Sequence, residues 1–132
     1  MTYGDGVADI DINSLIAFHK DQGRLATLTG IQPEGRFGFM DIEGSMIHSF
    51  REKSTADNGW INGGFMVLEP CVTDYIVGDA MPFEREPLEK LAMEGQLSCY
   101  KHRGFWQCMD TLRDKEKLEK MIAEKTAPWI YW

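Results

Sequence analysis

Helix-like and strand-like apolar patterns alternate along these 132 residues, which predicts one α/β domain. The sheet is expected to be mixed, with strands near Tyr3, Leu25–Ile31, Trp60–Leu68 and Leu97–Lys101 under flanking helices. No internal repeat or low-complexity linker divides the chain, so 1–132 reads as a single domain.

The elements follow in order. Gly4-Asp5-Gly6 reads as the end of a first strand turning into a loop, where the missing Cβ atoms let a charged ligand approach the backbone. Asp11 is an N-cap for a helix from about Ile12 to Gln22, with Ile12, Leu15, Ile16 and His19 at i, i+3, i+4, i+7 and Gly23 to end it. Leu25 to Ile31 has the composition of a strand. Phe37–Ile42 and Met46–Phe50 read as a hairpin across Glu43-Gly44-Ser45. A polar loop from Ser54 to Gly59 then leads into the apolar run Trp60–Leu68, and Pro70 suits the first turn of a short helix through Val77.

Glu84–Glu94 is the next expected helix, with Pro87 in its first turn and Gly95 closing it. After the strand Leu97–Lys101, Thr111 can cap a last helix, with Asp114 three residues on in a shortened capping box. Leu112, Leu118, Met121 and Ile122 are its expected apolar face. The tail Pro128-Trp129-Ile130-Tyr131-Trp132 is too aromatic for a plain solvated end and should pack on the body or on a partner.

Composition narrows the function classes. Apolar residues make up 43% and charged residues 27%, as in a folded globular chain. A net charge of −7 with no cluster of Lys and Arg argues against a nucleic-acid surface. No apolar run is long enough to cross a bilayer and no signal peptide is read before Tyr3, so no membrane and a cytoplasmic location are expected. Cys71, Cys99 and Cys108 lack CxxC spacing and read as reduced thiols in or near the core. His19, His48 and His102 share no ligand spacing, which disfavours zinc. Met40, Met46, Met66, Met81, Met93, Met109 and Met121 read as core filling. Asp9 reads as a loop acid near a helix N-terminus.

Four motifs stand in order: Thr2-Tyr3-Gly4-Asp5-Gly6, Glu52-Lys53, Ile61-Asn62-Gly63-Gly64-Phe65 and Gly104-Phe105-Trp106-Gln107-Cys108-Met109-Asp110. Taken together they resemble the sugar-nucleotide pyrophosphorylases, a nucleotidyltransferase family, and most closely its glucose-1-phosphate cytidylyltransferase branch. The resemblance runs from Thr2 to about Trp129. It implies a Rossmann-like nucleotide-diphospho-sugar transferase fold. It also implies the reaction of CTP with glucose 1-phosphate to give CDP-glucose and pyrophosphate. Within it, Asp5 and Asp110 would hold a Mg²⁺ ion. Lys53 would bind the sugar phosphate as the catalytic lysine, and Glu52 would bond sugar hydroxyls, with Ser54 in place of the family's proline. Gly4, Gly6, Asn62, Gly63 and Gly64 would line the substrate, and Phe105 and Trp106 would form a wall near Asp110. Taken alone, Gly-Asp-Gly reads as a turn, Asp110 as a helix-entry acid, and a strand glycine as a bulge.

The family's GGxGTR-type loop, which holds the triphosphate, has no counterpart in these residues, so the chain reads as the C-terminal half of such an enzyme. Three readings stay open: an enzyme completed by another chain, a sugar-phosphate-binding module, or a self-associating orphan domain. An inner strand left at Tyr3 and the aromatic tail lead to the expectation of a homo-oligomer, most simply a dimer.

Overall fold

The computed structural model describes residues 1–32, 38–43, 46–52 and 59–130, with only the backbone described at 38–43 and 47–52. Strands are β1 (Gly6–Ala8), β2 (Ala26–Ile31), β3 (Gly38–Glu43), β4 (Met46–Glu52), β5 (Ile61–Leu68), β6 (Leu97–Lys101) and β7 (Trp106–Cys108). Helices are α1 (Ile12–Gln22), α2 (Glu86–Met93) and α3 (Leu112–Ala123), with a 3-10 helix at Pro70–Tyr75.

Local chemistry accounts for the helix ends. The Asp11 carboxylate accepts from the N–H groups of Asn13 and Ser14, and Gly23 closes α1 at φ 58°, which costs glycine no Cβ clash. The side-chain hydroxyl of Ser14 adds a bond to Asp11 and, as the largest influence, holds that carboxyl below its ordinary range. Thr111 and Asp114 form the expected reciprocal capping box on α3.

The central sheet has the order β5-β2-β6, with β5 antiparallel and β6 parallel to β2. Neighbouring residues of β2 point to opposite faces, so Ala26 and Thr27 reach different layers. Ala26 packs with Val72, Leu88 and Leu91, placing the 3-10 helix and α2 on one face. Thr27 meets α1 on the other, where its Oγ1 lies 2.8 Å from the buried His19 Nδ1 and 2.6 Å from Ser98 Oγ. His19 Nε2 stands 3.1 Å from Glu69 Oε1, so the imidazole joins α1 to β2 and to the end of β5, and through Thr27 to β6. A buried polar chain is tolerated because each member finds a partner.

Several expectations need correction. On α1, Leu15 and His19 are buried but Ile12 and Ile16 are exposed, so the packed stripe is narrower than the periodicity indicates. On α3, Leu118 is buried, whereas Leu112 and Ile122 are exposed and Asp114 is buried in their stead. The segment after Pro70 is a 3-10 helix ending at Tyr75, and Val77 is 84% exposed. Met66 is core, but Met46, Met93 and Met109 are exposed. Cys71 and Cys99 are exposed and Cys108 half-buried, all three unbridged.

The strand expected near Tyr3 is an isolated bridge, Thr2 with Phe65, flanked by Tyr3 N–H donating to Gly64 O and Met66 N–H donating to Met1 O. The regular strand β1 begins only at Gly6 and pairs with β7 in a separate ladder. The expected hairpin is present as β3 and β4, whose turn lies outside the described residues. Trp129 stacks on Phe105 at 5.1 Å, so the tail packs on the body there, whereas Ile130 is exposed, and Tyr131 and Trp132 lie outside the described residues. Among the described residues no helix is long and apolar enough to cross a membrane.

Candidate functional site

Gly4 and Asp5 lie where the chain leaves the edge of β5 and enters the ladder with β7. In that ladder Gly6 faces Cys108, and one step further Met109 N–H donates to Asp5 O at 2.7 Å. Asp110 is the next residue, so Asp5 and Asp110, more than a hundred positions apart, stand on adjacent backbone segments. Both side chains are exposed. Asp110 also directly precedes the α3 cap, Thr111.

The platform under Asp110 is held by polar contacts. Asp114 accepts from the Thr111 hydroxyl and from Gln107 Nε2, while Gln107 Oε1 accepts from Lys117 Nζ at 2.8 Å. These bonds fasten β7 to α3. Cys108 Sγ donates to Asp110 Oδ2 at 3.2 Å; burial first, and then the Asp110 carboxylate, push this thiol above its ordinary value.

The Asn62-Gly63-Gly64 motif lies beside this junction. Trp106 Nε1 donates to Gly63 O at 2.8 Å, tying β7 to β5. Gly6 lies against the same pair: a Cβ there would stand 3.8 Å from Trp106 Nε1 and 3.9 Å from Gly63 O. Space around Gly4 is open. Gly63 has a packing reason, since a Cβ would come within 2.9 Å of Ile31 Cγ2 and 3.2 Å of Thr29 O. Gly64 takes φ 79° and its Cβ position is filled by the Tyr3 ring. Both glycines lie where the β2–β5 register shifts, which is the bulge that a strand glycine announces.

Two residues outside the predicted set join the cluster. The Tyr3 hydroxyl accepts from Asn62 Nδ2 at 2.9 Å and lies near the Glu84 carboxylate. Burial, and then the Glu84 contact, push the phenol up to about 12, while Glu84 is held below its ordinary range by the Tyr3 hydrogen bond. The predicted Lys53 lies outside the described residues, and so does the side chain of Glu52, whose backbone ends β4. Phe105 turns to Trp129, whereas Trp106 does line the site. Asp9 pairs with His102 at 3.0 Å across the space that Gly104 leaves by lacking a Cβ.

Among the described residues no group of three or more His, Cys, Asp or Glu side chains is arranged to hold a metal ion. Magnesium needs fewer, because it takes one or two carboxylates and completes its shell with water and substrate phosphate. Two exposed carboxylates on adjacent segments fit that donor set.

No family model matches the sequence. It is 53% identical over 131 residues to a glucose-1-phosphate cytidylyltransferase of Salmonella typhi, covering 99% of this chain and 51% of that protein. A glucose-1-phosphate cytidylyltransferase of Salmonella typhimurium gives the same identity and coverage. The chain belongs to the sugar-nucleotide pyrophosphorylase family. It spans about half the length of the curated relatives it matches. Solved structures agree on the α/β fold of this nucleotidyltransferase family. A structure described as a glucose-1-phosphate thymidylyltransferase from Bacillus anthracis, in complex with sucrose, has TM-score 0.62 at 20% identity, over 98% of this chain and 54% of that one. HddC from Yersinia pseudotuberculosis has TM-score 0.63 at 21% identity, over 90% and 52%.

Proposed function

We propose that this pyrophosphorylase-family chain supplies the C-terminal, sugar-phosphate and metal half of a glucose-1-phosphate cytidylyltransferase-like site. The main support is the backbone pairing that sets Asp5 beside Asp110. Relatives at 53% identity that carry this activity by name set the reaction class.

In this reading Asp5 and Asp110 hold Mg²⁺, which when bound offsets the charge of the phosphates and helps align them. Asn62 offers donor and acceptor atoms to sugar hydroxyls, and the glycines beside it keep the main chain close. Glu52 and Lys53 bind the sugar and its phosphate, as the family resemblance implies. Lys53 serves as the catalytic cation by holding the sugar phosphate in line for attack and offsetting its repulsion from the nucleotide phosphates. The chain's own residues contribute positioning and charge stabilisation, with no covalent step.

No GGxGTR-type sequence occurs in these 132 residues, and in this reading the nucleotide half lies outside them. Sugar 1-phosphate is therefore this chain's own ligand, and CTP is a ligand of the completed site. Calorimetry with glucose 1-phosphate tests the assignment. Binding should be weak and strengthened by Mg²⁺ or Mn²⁺, and Asp110→Asn should remove that metal response. Metal-independent binding in the unaltered chain, or none at all, overturns it.

A further inference from the structure

We infer that Tyr3 is a positioning residue that, together with Gly64 N–H, holds the Asn62 carboxamide in one orientation, and so sets the donor–acceptor pattern shown to a sugar. The inference rests on the proposed function for the identity of the ligand, but the orientation follows from the geometry alone.

A carboxamide can be turned over at little cost unless its partners distinguish N from O. Here Gly64 does so. Its N–H is a donor without acceptor capacity, and it lies 3.0 Å from Asn62 Oδ1, which makes that atom the oxygen. The nitrogen, Asn62 Nδ2, is then turned to the Tyr3 hydroxyl 2.9 Å away, which accepts from it. Gly64 selects the orientation and Tyr3 holds it.

The clamp is also rigid at its base. The Tyr3 ring lies where Gly64 lacks a Cβ, close enough that a methyl there would stand 2.6 Å from Cδ2. Tyr3 N–H donates to Gly64 O at 2.8 Å. Ring, backbone and hydroxyl thus hold the Asn62–Gly64 turn at three points. After these bonds Asn62 keeps one N–H and one lone pair. A pair of neighbouring hydroxyls, one accepting and one donating, is the complement, and that is the chemistry of a hexose ring.

The test combines side-chain amide NMR with binding. In the unaltered chain one Asn62 Hδ2 should be shifted and slow to exchange. Tyr3→Phe keeps the ring on Gly64 and should abolish that signature while leaving the backbone spectrum in place. Glucose 1-phosphate with Mg²⁺ should then bind about three- to tenfold more weakly, the loss expected for one hydrogen bond. Asn62→Asp should weaken binding too, and adding Tyr3→Phe to it should cost nothing more, because Tyr3 acts through Asn62. An unchanged Asn62 amide in Tyr3→Phe, or fully additive losses, overturns the inference. A protected amide in a chain that binds no sugar phosphate overturns the proposed function and supports the clamp.

Discussion

Replacing Gly64 by alanine separates two costs that usually arrive together. At φ 79° an L-residue is strained by about 1–2 kcal/mol, partly offset by the lower freedom of an unfolded chain that has lost a glycine. The same methyl would stand 2.6 Å from Tyr3 Cδ2, 3.0 Å from Cγ and 3.2 Å from Cβ. These atoms are the base of the side chain, so the ring cannot swing away without moving the backbone that bonds Gly64 O. Such overpacking adds roughly 1–3 kcal/mol. Gly23 is the control: it has φ 58° and nothing within 4 Å of its Cβ position. Gly23→Ala should therefore cost about 1 kcal/mol and Gly64→Ala about 3 kcal/mol, a fall in melting temperature of roughly 10 °C for a chain of this length. Urea and thermal unfolding of both variants decide the matter. Tyr3→Ala on the Gly64→Ala background should recover most of the difference. If Gly64→Ala proves no worse than Gly23→Ala, the ring does not occupy that space.

Three other outcomes are expected. The chain alone should release no pyrophosphate from CTP and glucose 1-phosphate, and turnover abolished by Asp5→Ala would show the nucleotide half to be dispensable. The Tyr3 phenol, raised from 10.0 to about 12, should give stability that is complete below pH 10 and lost as pH rises through 12. Because the group is only partly buried, about 1 kcal/mol or less is expected after solvent screening; alkaline unfolding of Tyr3→Phe should lack this slope. Light scattering at physiological salt should report a dimer, favoured by the exposed apolar residues Met1, Ile12 and Ile16, and a strictly monomeric mass would end that expectation.

Local signals were the ones that sequence alone could deliver. Asp11, Gly23, Thr111 and Asp114 act within a few residues of themselves, and the helices they bound are α1 and α3 with caps where expected. Helix faces were less legible. Periodicity marks Leu112 and Ile122 as apolar, but the side of α3 turned to β7 is chosen by the Asp114–Gln107 bond, and no local pattern encodes that choice. Strands of three residues were legible least. β1 and β7 exist because they pair with each other, and neither is long enough to show an alternation of its own. Glu84 gave no signal, since a carboxylate after Pro82-Phe83 looks like any solvated helix approach. Tyr3 stood in the quoted motif, yet its partners are 59 and 61 residues away by number, at Asn62 and Gly64.

The order of the motifs has a physical basis in the hydrogen bonds that join them. Tyr3 to Gly64, Trp106 to Gly63 and Met109 to Asp5 connect three distant segments, and each bond crosses between the β5 edge, β1 and β7. A substitution that weakens one of them moves Asp5, Asn62 and Asp110 together, because all three lie within a residue or two of those bonds. Trp106→Phe is the sharpest case. It keeps an aromatic ring but removes the Nε1 donor along with part of the ring volume, and Gly63 O left in need of a partner costs about 1–3 kcal/mol. If the metal response and the sugar-phosphate response fall together in this variant, the two halves of the site share one scaffold. A metal response that survives while sugar binding is lost would show that β1 and β7 hold their ladder without help from β5.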